Sequence, residues 1–322
     1  MPNIMTYEGL ARTLRPEHLW PQNQYWGQHD FTQQGAQRGA SFNQLISRGF
    51  GEPKSAQEFT TLAQWQNYDG YRAMYESTNV DRQGLLIWMS HPTWPSMVWQ
   101  TYDYYLEPTA AFFGVKKACE PLHVQWNALT DSVEVVNRTD SDYKLMTVEA
   151  TLLDMYGRQL VKEYGELHSL SDDTHAVMPT PLVTHPSLLP KGQVGFLRLR
   201  LTDAADDVLS ENTYICAPDT GNYQALRQLP QAEVKVTKYQ SNNATLSPCY
   251  LVTLENTGHV PALMLRLNLV GSDGEQVLPV HYDDNYFHLM PGEKRTVQVQ
   301  WNPRDARGGT PDVVISGYNY SR

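Results

Sequence analysis

Residues 84–105 read GLLIWMSHPTWPSMVWQTYDYY. Leu85-Leu86-Ile87-Trp88 is an apolar run without alternation, the mark of a strand covered on both faces, as in a parallel sheet. Beyond Pro95, SMVWQTYDYY reads as a helix. A single parallel strand has no neighbour to bond with, so the rest of its sheet is expected elsewhere. The stretch is crowded with aromatics yet holds one carboxylate, Asp103. If an active site lies here, its acid must come from another segment.

The flanks read as helices up to about residue 118. Pro16 and Glu17 suit the first turn of a short helix, where a missing N–H is harmless and a negative charge meets the positive end of the dipole. Ser55-Ala-Gln-Glu58 is a capping box. It opens EFTTLAQWQNYDGYRAMY, where Phe59, Leu62, Trp65 and Tyr68, then Tyr71 and Tyr75, line one face; the spacing predicts a helix of about five turns. Asn79-Val-Asp-Arg-Gln-Gly84 reads as a turn. Helix, buried strand, helix is a piece of an α/β fold.

After Glu120-Pro121 the period changes to two. Leu197, Leu199 and Leu201 alternate with Arg198, Arg200 and Thr202, and Leu263, Leu265, Leu267 and Leu269 with Met264, Arg266, Asn268 and Val270. Val297, Val299 and Trp301 alternate with Gln298 and Gln300. Each pattern predicts a half-buried strand with one wet face. Turn clusters (NRTDSD at 137–142, GSDG at 271–274, MPGE at 290–293) recur at sandwich spacing. Roughly seven strands between 121 and 217 and six or seven from 231 to 321 make one β-sandwich each. APDTGNYQALRQLPQ, 217–231, is the link between them. SVEVVNRT, 132–139, and YLVTLENTG, 250–258, both end on an Asn turn, a faint internal echo.

With 41% hydrophobic residues the 322-residue chain can bury a sizeable core, and it is long enough for two or three domains. Its net charge of −10 argues against nucleic acid, since phosphate contacts need clustered Lys and Arg and the longest basic cluster is Lys116-Lys117. The 8 Trp and 19 Tyr could stack on flat faces, sugar rings included, although most aromatics simply fill cores. Cys119, Cys216 and Cys249 are dispersed without a C-x-x-C pair, so zinc and redox chemistry are disfavoured and no disulfide is implied. MPNIMTYEGLARTLRPEHLW lacks the apolar run of a signal peptide, and no stretch of about 18 apolar residues predicts a membrane span.

The block 84–127, GLLIWMSHPTWPSMVWQTYDYYLEPTAAFFGVKKACEPLHVQWN, resembles the end of the catalytic barrel in glycoside hydrolase family 2. The similarity is to the branch of exo-β-D-glucosaminidases, β-mannosidases and mannosylglycoprotein endo-β-mannosidases. AQWQNYDGYRAMYE, 63–76, is similar to the helix before the last barrel strand, and DDNYFHLMPGEKRTVQV, 283–299, to the signature of that branch's last immunoglobulin-like domain. The resemblance implies a fold of α/β plus all-β character. Residues 1–118 are then the C-terminal remnant of a TIM (β/α)8 barrel after its seventh strand. Residues 119–222 and 231–322 are two immunoglobulin-like β-sandwiches. MPNIMTYEGLARTL resembles the segment that follows the nucleophile, so both catalytic Glu are expected upstream of residue 1.

Retaining glycosidases need two carboxyl groups about 5 Å apart. Glu8, Glu17, Asp30, Asp69, Glu76, Asp103 and Glu107 are the carboxylates weighed as substitutes, and solvation or capping is the expected role of most of them. No catalytic residue is therefore assigned in this chain, and the chain alone is expected to be inactive. By resemblance Trp88 floors the subsite for the cleaved sugar, with Trp88–Met89 a cis peptide; the alternative is that Trp88 merely plugs the barrel. Family members carry Asn just after this Trp, whereas this chain has Ser90, His91 and Pro92. His91 is a candidate donor to the sugar in their place, and Trp94 a candidate for lining the aglycone side or for packing. His29-Asp30 are too few ligands for a metal site, and Asp283-Asp284-Asn285 lack calcium-loop spacing and read as an Asx turn. Asn137, Asn243 and Asn319 open glycosylation sequons.

The implied function is a share in hydrolysing β-mannosides or β-glucosaminides with retention. No cofactor and no metal are expected. The expected partner is a β-linked oligosaccharide, together with a chain supplying the rest of the barrel if the enzyme is split; nucleic acid and membrane are not expected. The resemblance also implies that relatives are often secreted or periplasmic. A reading of another class is a non-catalytic carbohydrate-binding or scaffold protein built on the sandwiches.

Overall fold

The computed structural model describes residues 1–35, 38–77, 84–218, 221–241 and 248–321. Of the expected turn at 79–84 only Gly84 falls within them, and the Asn243 sequon lies outside. The chain divides into two compact units: 1–71, 87–114 and 230–322 form the first, 72–86 and 115–229 the second. The helices among the described residues are α1 (Tyr7–Thr13), α2 (Gln24–Gln28), α3 (Gly39–Phe50), α4 (Ala56–Glu76), α5 (Ala110–Ala118) and the single turn α6 (Pro181–Thr184); Pro16–His18, Gln224–Gln228 and Pro303–Ala306 are 3-10 turns.

The capping box opens α4: the Glu58 N–H donates to Ser55 Oγ at 3.1 Å, and the Glu58 carboxylate accepts from the Lys54 N–H at 2.7 Å. Phe59, Leu62, Trp65 and Tyr71 are buried along one face, with Tyr68 and Tyr75 half-buried beside them. Gly114 of α5 must be glycine, because a Cβ there would sit 2.3 Å from the Tyr68 carbonyl oxygen.

The second unit holds β1 (Leu122–Asn127), β2 (Ser132–Asn137), β3 (Tyr143–Asp154), β4 (Gln159–Ser169), β5 (Asp173–Pro179), β6 (Gly195–Thr202) and β7 (Val208–Cys216). They form two sheets, β1-β2-β5 and β4-β3-β6-β7. The sheets bury one cluster, with Val124, Val133 and Val135 on one side and Val148, Leu152, Leu197 and Leu199 on the other, all 0% exposed. Arg198 and Arg200 point to the opposite, half-buried face of β6, as the alternation requires.

The first unit carries a second pair of sheets. Its strands are β8 (Val234–Ser241), β9 (Cys249–Asn256), β10 (Ala262–Val270), β11 (Val280–Tyr282), β12 (Phe287–Leu289), β13 (Lys294–Trp301) and β14 (Asp312–Ser316). They pair as β12-β10-β14 and β11-β13-β9-β8. The wet face expected for β10 is absent: Met264 (3%), Arg266 (9%) and Asn268 (7%) are buried along with the leucines. Helices cover that face. Arg266 pairs with Glu8 of α1, and Trp65 of α4 packs on His288 at 5.3 Å between ring centroids. Alternation marked the strand, but the polar residues meet ionic partners and not water.

The faint echo proves to be a repeated device. Asn137 donates to the carbonyls of Ser141 and Leu170 (2.9 and 2.8 Å) and accepts from the Thr139 N–H. Asn256 donates to Val260 and Leu289 (2.8 and 2.9 Å) and accepts from the Gly258 N–H. The sequence offsets to the accepting carbonyls are 4 and 33 in both cases. Both side chains are fully buried, as is Asn319 at 3%, so the sequons at 137 and 319 offer no accessible amide. Asn256→Ala strands two buried carbonyls and an N–H, and is expected to cost about 2 kcal/mol. Urea unfolding checks this; an unchanged midpoint would make the pin incidental.

Residues 84–105 differ most from expectation. Every strand pairing among the described residues is antiparallel, and Leu85–Trp88 join none. Leu86 is 99% exposed and Trp88 78%. The run forms no ladder, because no strand among the described residues lies beside it to accept its hydrogen bonds. Residues 96–105 are irregular, not helical. Side chains compete there for the backbone: Gln100 Nε2 donates to Ser96 O at 2.6 Å, and Asp103 Oδ1 accepts the N–H groups of Tyr105 and Glu107, both at 2.9 Å.

Candidate functional site

Trp88 sits on a loop whose backbone is held from within. The Met89 N–H donates to Trp99 O at 2.9 Å, and the Thr101 and Tyr102 N–H groups converge on Ser90 O (3.1 and 2.9 Å). Thr109 Oγ1 donates to Thr101 O (3.0 Å), and the Asn3 N–H to Val98 O (2.8 Å). The Trp88–Met89 peptide is cis. The Trp88 indole makes no hydrogen bond or ring contact among the described residues, which leaves a large flat face to solvent.

Of the other site candidates, Trp94 is 44% exposed and stacks on His29, with ring centroids 5.5 Å apart. His29 Nδ1 lies 2.6 Å from Pro95 O, and its own carbonyl accepts the Met97 N–H. His29 is therefore a brace for the Trp94 turn. His91 is half-buried, with Nε2 3.3 Å from Tyr104 O. One loop thus carries Trp88, His91 and Trp94, and Trp94 is the one held by a ring partner. Among the described residues no group of three or more His, Cys, Asp or Glu is arranged to hold a metal, and the three cysteines are free thiols.

Three of the carboxylates weighed as substitutes, Glu76, Asp103 and Glu107, are buried. Asp103 is 0% exposed, and its Oδ2 has no hydrogen-bond partner among the described residues. A Cβ on Gly9 would stand 2.7 Å from that oxygen, so glycine makes the room. Burial, with the nearby Glu107 charge, pushes the Asp103 carboxyl up to about 7. Glu107 is 5% exposed; it accepts Thr6 Oγ1 at 2.7 Å and pairs with Arg266 Nη2. Arg266 Nη1 reaches Glu8 at 3.0 Å. Burial works against ionised Glu8, but the Arg266 charge together with hydrogen bonds from the backbone, Arg266 and Thr6 outweighs it and holds the carboxyl below its usual value.

In the second unit, Glu76 Oε1 accepts from Tyr214 Oη (2.7 Å) and Asn212 Nδ2 (3.0 Å) and lies 3.0 Å from His123 Nε2. His123 Nδ1 meets Glu120 at 3.1 Å, and the Arg72 guanidinium stacks 4.1 Å from the Tyr214 ring. The set has the groups of an acid–base site but no access: His123 is 1% exposed and Glu76 5%. Its role is structural. Glu76 and His123 stand 47 positions apart, and nothing in their spacing signals the pairing.

A family profile described as "Exo-beta-D-glucosaminidase Ig-fold domain" matches residues 212–320. The exo-β-D-glucosaminidase of Streptomyces avermitilis is 30% identical over 99% of this chain, which spans 38% of that protein. The crystal structure of the Amycolatopsis orientalis exo-chitosanase superposes with a TM-score of 0.85 at 25% identity, covering 99% of this chain and 41% of that one. The chain is a relative of the exo-β-glucosaminidase and β-mannosidase branch of glycoside hydrolase family 2. The mannosylglycoprotein endo-β-mannosidase of Lilium longiflorum, 25% identical over 93% of the chain, extends the relation to the mannosidases. The chain spans about two-fifths of the length of these glycosidases.

Proposed function

We propose that this chain forms the C-terminal portion of a retaining glycosidase that acts on β-linked mannosides or glucosaminides. In this reading residues 1–118 complete a (β/α)8 barrel, and 119–222 and 231–322 are sandwiches that brace it. Trp88 floors the subsite for the cleaved sugar, with His91 and Trp94 on its wall, and the two catalytic glutamates lie upstream of residue 1. The observation that carries the proposal is the exposed Trp88 face on a backbone-tied loop, since a large rigid ring left bare is suited to stack on a sugar's C–H face. The buried carboxylates support a non-catalytic role, because Glu76 and Glu107 are committed to internal hydrogen bonds and Asp103 is fully enclosed.

The chain alone is expected to release no nitrophenol from nitrophenyl β-mannoside or β-glucosaminide. Turnover that disappears in Trp88→Ala would overturn the assignment. Because Trp88 is 78% exposed, Trp88→Ala should leave the unfolding midpoint within about 0.5 kcal/mol of the parent. In an enzyme assembled with the upstream barrel, the same change should lower kcat/KM by about tenfold or more, from lost stacking. The almost wholly exposed Leu86 favours a second reading, that the barrel strands come from a separate chain. Co-expression of upstream barrel sequence as its own chain tests it by restored turnover.

A further inference from the structure

Trp94 is 44% exposed, and one face of its indole is covered by the His29 imidazole, with 5.5 Å between ring centroids and 27° between the ring planes. His29 is itself fixed on several sides. Its Nδ1 carries the proton, because the Pro95 carbonyl oxygen 2.6 Å away can only accept. Its N–H donates to Trp26 O at 3.1 Å, and its own carbonyl takes the Met97 N–H at 2.9 Å. Asp30, in the left-handed region at φ 66°, then turns the chain into Phe31. Phe31 is 1% exposed and packs edge-on against Trp26, Phe42 and Phe59. The His29 segment is therefore anchored in a buried aromatic cluster, while its ring lies on Trp94. All of these residues belong to the first unit.

The two exposed tryptophans of the loop are thus prepared differently. Trp88 has no ring partner among the described residues, whereas Trp94 is oriented before any ligand arrives. Pro95 adds to this by keeping the residue before it out of the helical backbone region. A ring already fixed loses little rotamer freedom when a ligand lies on it, and this makes a stacking platform effective. Six positions separate Trp88 from Trp94, so their Cα atoms are within about 20 Å of each other. One sugar ring covers one indole, and a short run of linked sugars reaches both. We infer that His29 is a positioning residue for substrate length: by holding Trp94 it adds a second stacking platform to the Trp88 loop, and the site favours a β-linked oligosaccharide over a single sugar. The inference rests on the Trp88 reading above.

The test uses the full chain with the β-1,4-linked trisaccharides of D-glucosamine and of D-mannose, each compared with its own monosaccharide. Calorimetry and saturation-transfer NMR give the ratio of monosaccharide to trisaccharide dissociation constants. For the parent this ratio should be about tenfold or more in one of the two series, the size of one added stacking contact. His29→Asn keeps an amide N–H near the place of Nδ1 but removes the ring, and should bring the ratio to about one by weakening the trisaccharide. His29→Phe keeps a ring and loses the hydrogen bond, and should restore most of the ratio. Because His29 acts through Trp94, adding His29→Asn to Trp94→Ala should change the ratio no further; additive losses would overturn that route. Thermal midpoints check that each variant is folded. A residue that merely held the loop would leave the ratio at the parent value in His29→Asn, or lower it equally in both His29 variants, and either result ends the inference. Trp88→Ala should weaken monosaccharide and trisaccharide alike. That loss with an unmoved ratio in His29→Asn removes the length assignment and leaves the Trp88 reading standing, whereas a parent that binds none of the four sugars overturns both.

Discussion

Glu76→Ala should lower the chain's stability by about 3–5 kcal/mol, the range for removing one partner of a buried charge pair. Its carboxylate accepts the Tyr214 hydroxyl and the Asn212 amide, and it faces His123. Without it, the 1%-exposed His123 imidazole loses one of its two carboxylate partners, and the buried Tyr214 hydroxyl and Asn212 amide lose an acceptor. Urea midpoints at neutral pH measure the loss; a shift under about 1 kcal/mol would mean the network is incidental. The same set carries a pH signature. Burial alone would lower the His123 pKa, but hydrogen bonds to Glu120 and Glu76, together with the charges of those carboxylates, outweigh it and raise it above the ordinary imidazole value. A raised folded pKa means stabilisation that is complete below the unfolded value and is lost as pH rises through the folded one. Glu120 runs the other way: against burial, His123 and Lys117 pull it down to about 2. Its contribution is present above the ordinary glutamate value and disappears as pH falls toward 2. Asp103, raised to about 7 in the other unit, favours low pH, and its contribution is lost as pH rises from the ordinary carboxylate value toward 7. The His123 part is therefore read as the difference between parent and His123→Gln. That difference should be flat from about pH 5 to 6 and shrink at alkaline pH. A difference that grows with pH would contradict the assignment.

Arg266→Met should be comparably damaging in the first unit, again about 3–5 kcal/mol. The guanidinium bridges Glu8 and Glu107, and Glu107 is 5% exposed beside the enclosed Asp103. Methionine fills much of the space but leaves the carboxylates without their cation. The Glu8 carboxyl, held below its usual value beside that cation, then rises, so the deficit should narrow as pH falls and Glu8 protonates. Adding Glu8→Leu and Glu107→Leu should recover most of the loss, because a buried ion group replaced as a whole by apolar residues is often neutral. If Arg266→Met alone were harmless, or the triple variant no better than the single, β10 would owe its buried polar face to something other than this triad.

How much was legible in the sequence depended on the range of the interaction. The capping box at Ser55 and the run from Phe59 to Tyr75 specify α4 through neighbours three and four positions apart. Leucine alternation specified β6 and β10 because a strand's period of two is local. The Asn137 and Asn256 turns were visible as an echo, since each begins from its own short motif. The candidate surface around Trp88 was marked by three separated motifs and by nothing in local periodicity. Its residues were named from the chain, but which of them is bare and which is braced came from the fold. Leu85–Trp88 went the other way: a run that reads as a buried strand leaves Leu86 and Trp88 exposed and Leu85 and Ile87 half-buried, because burial belongs to whatever lies beside it.

The order of elements, the helix cap, the alternating strands and the kinship to family 2 glycosidases were all set by the order of residues along the chain. They arise between near neighbours or survive as motifs. Only the tertiary structure decided which charges meet. Glu8 and Arg266 are 258 positions apart, and Glu76 and Tyr214 138. No local pattern encodes such pairs, because each side chain's environment is made by segments that folding alone brings together.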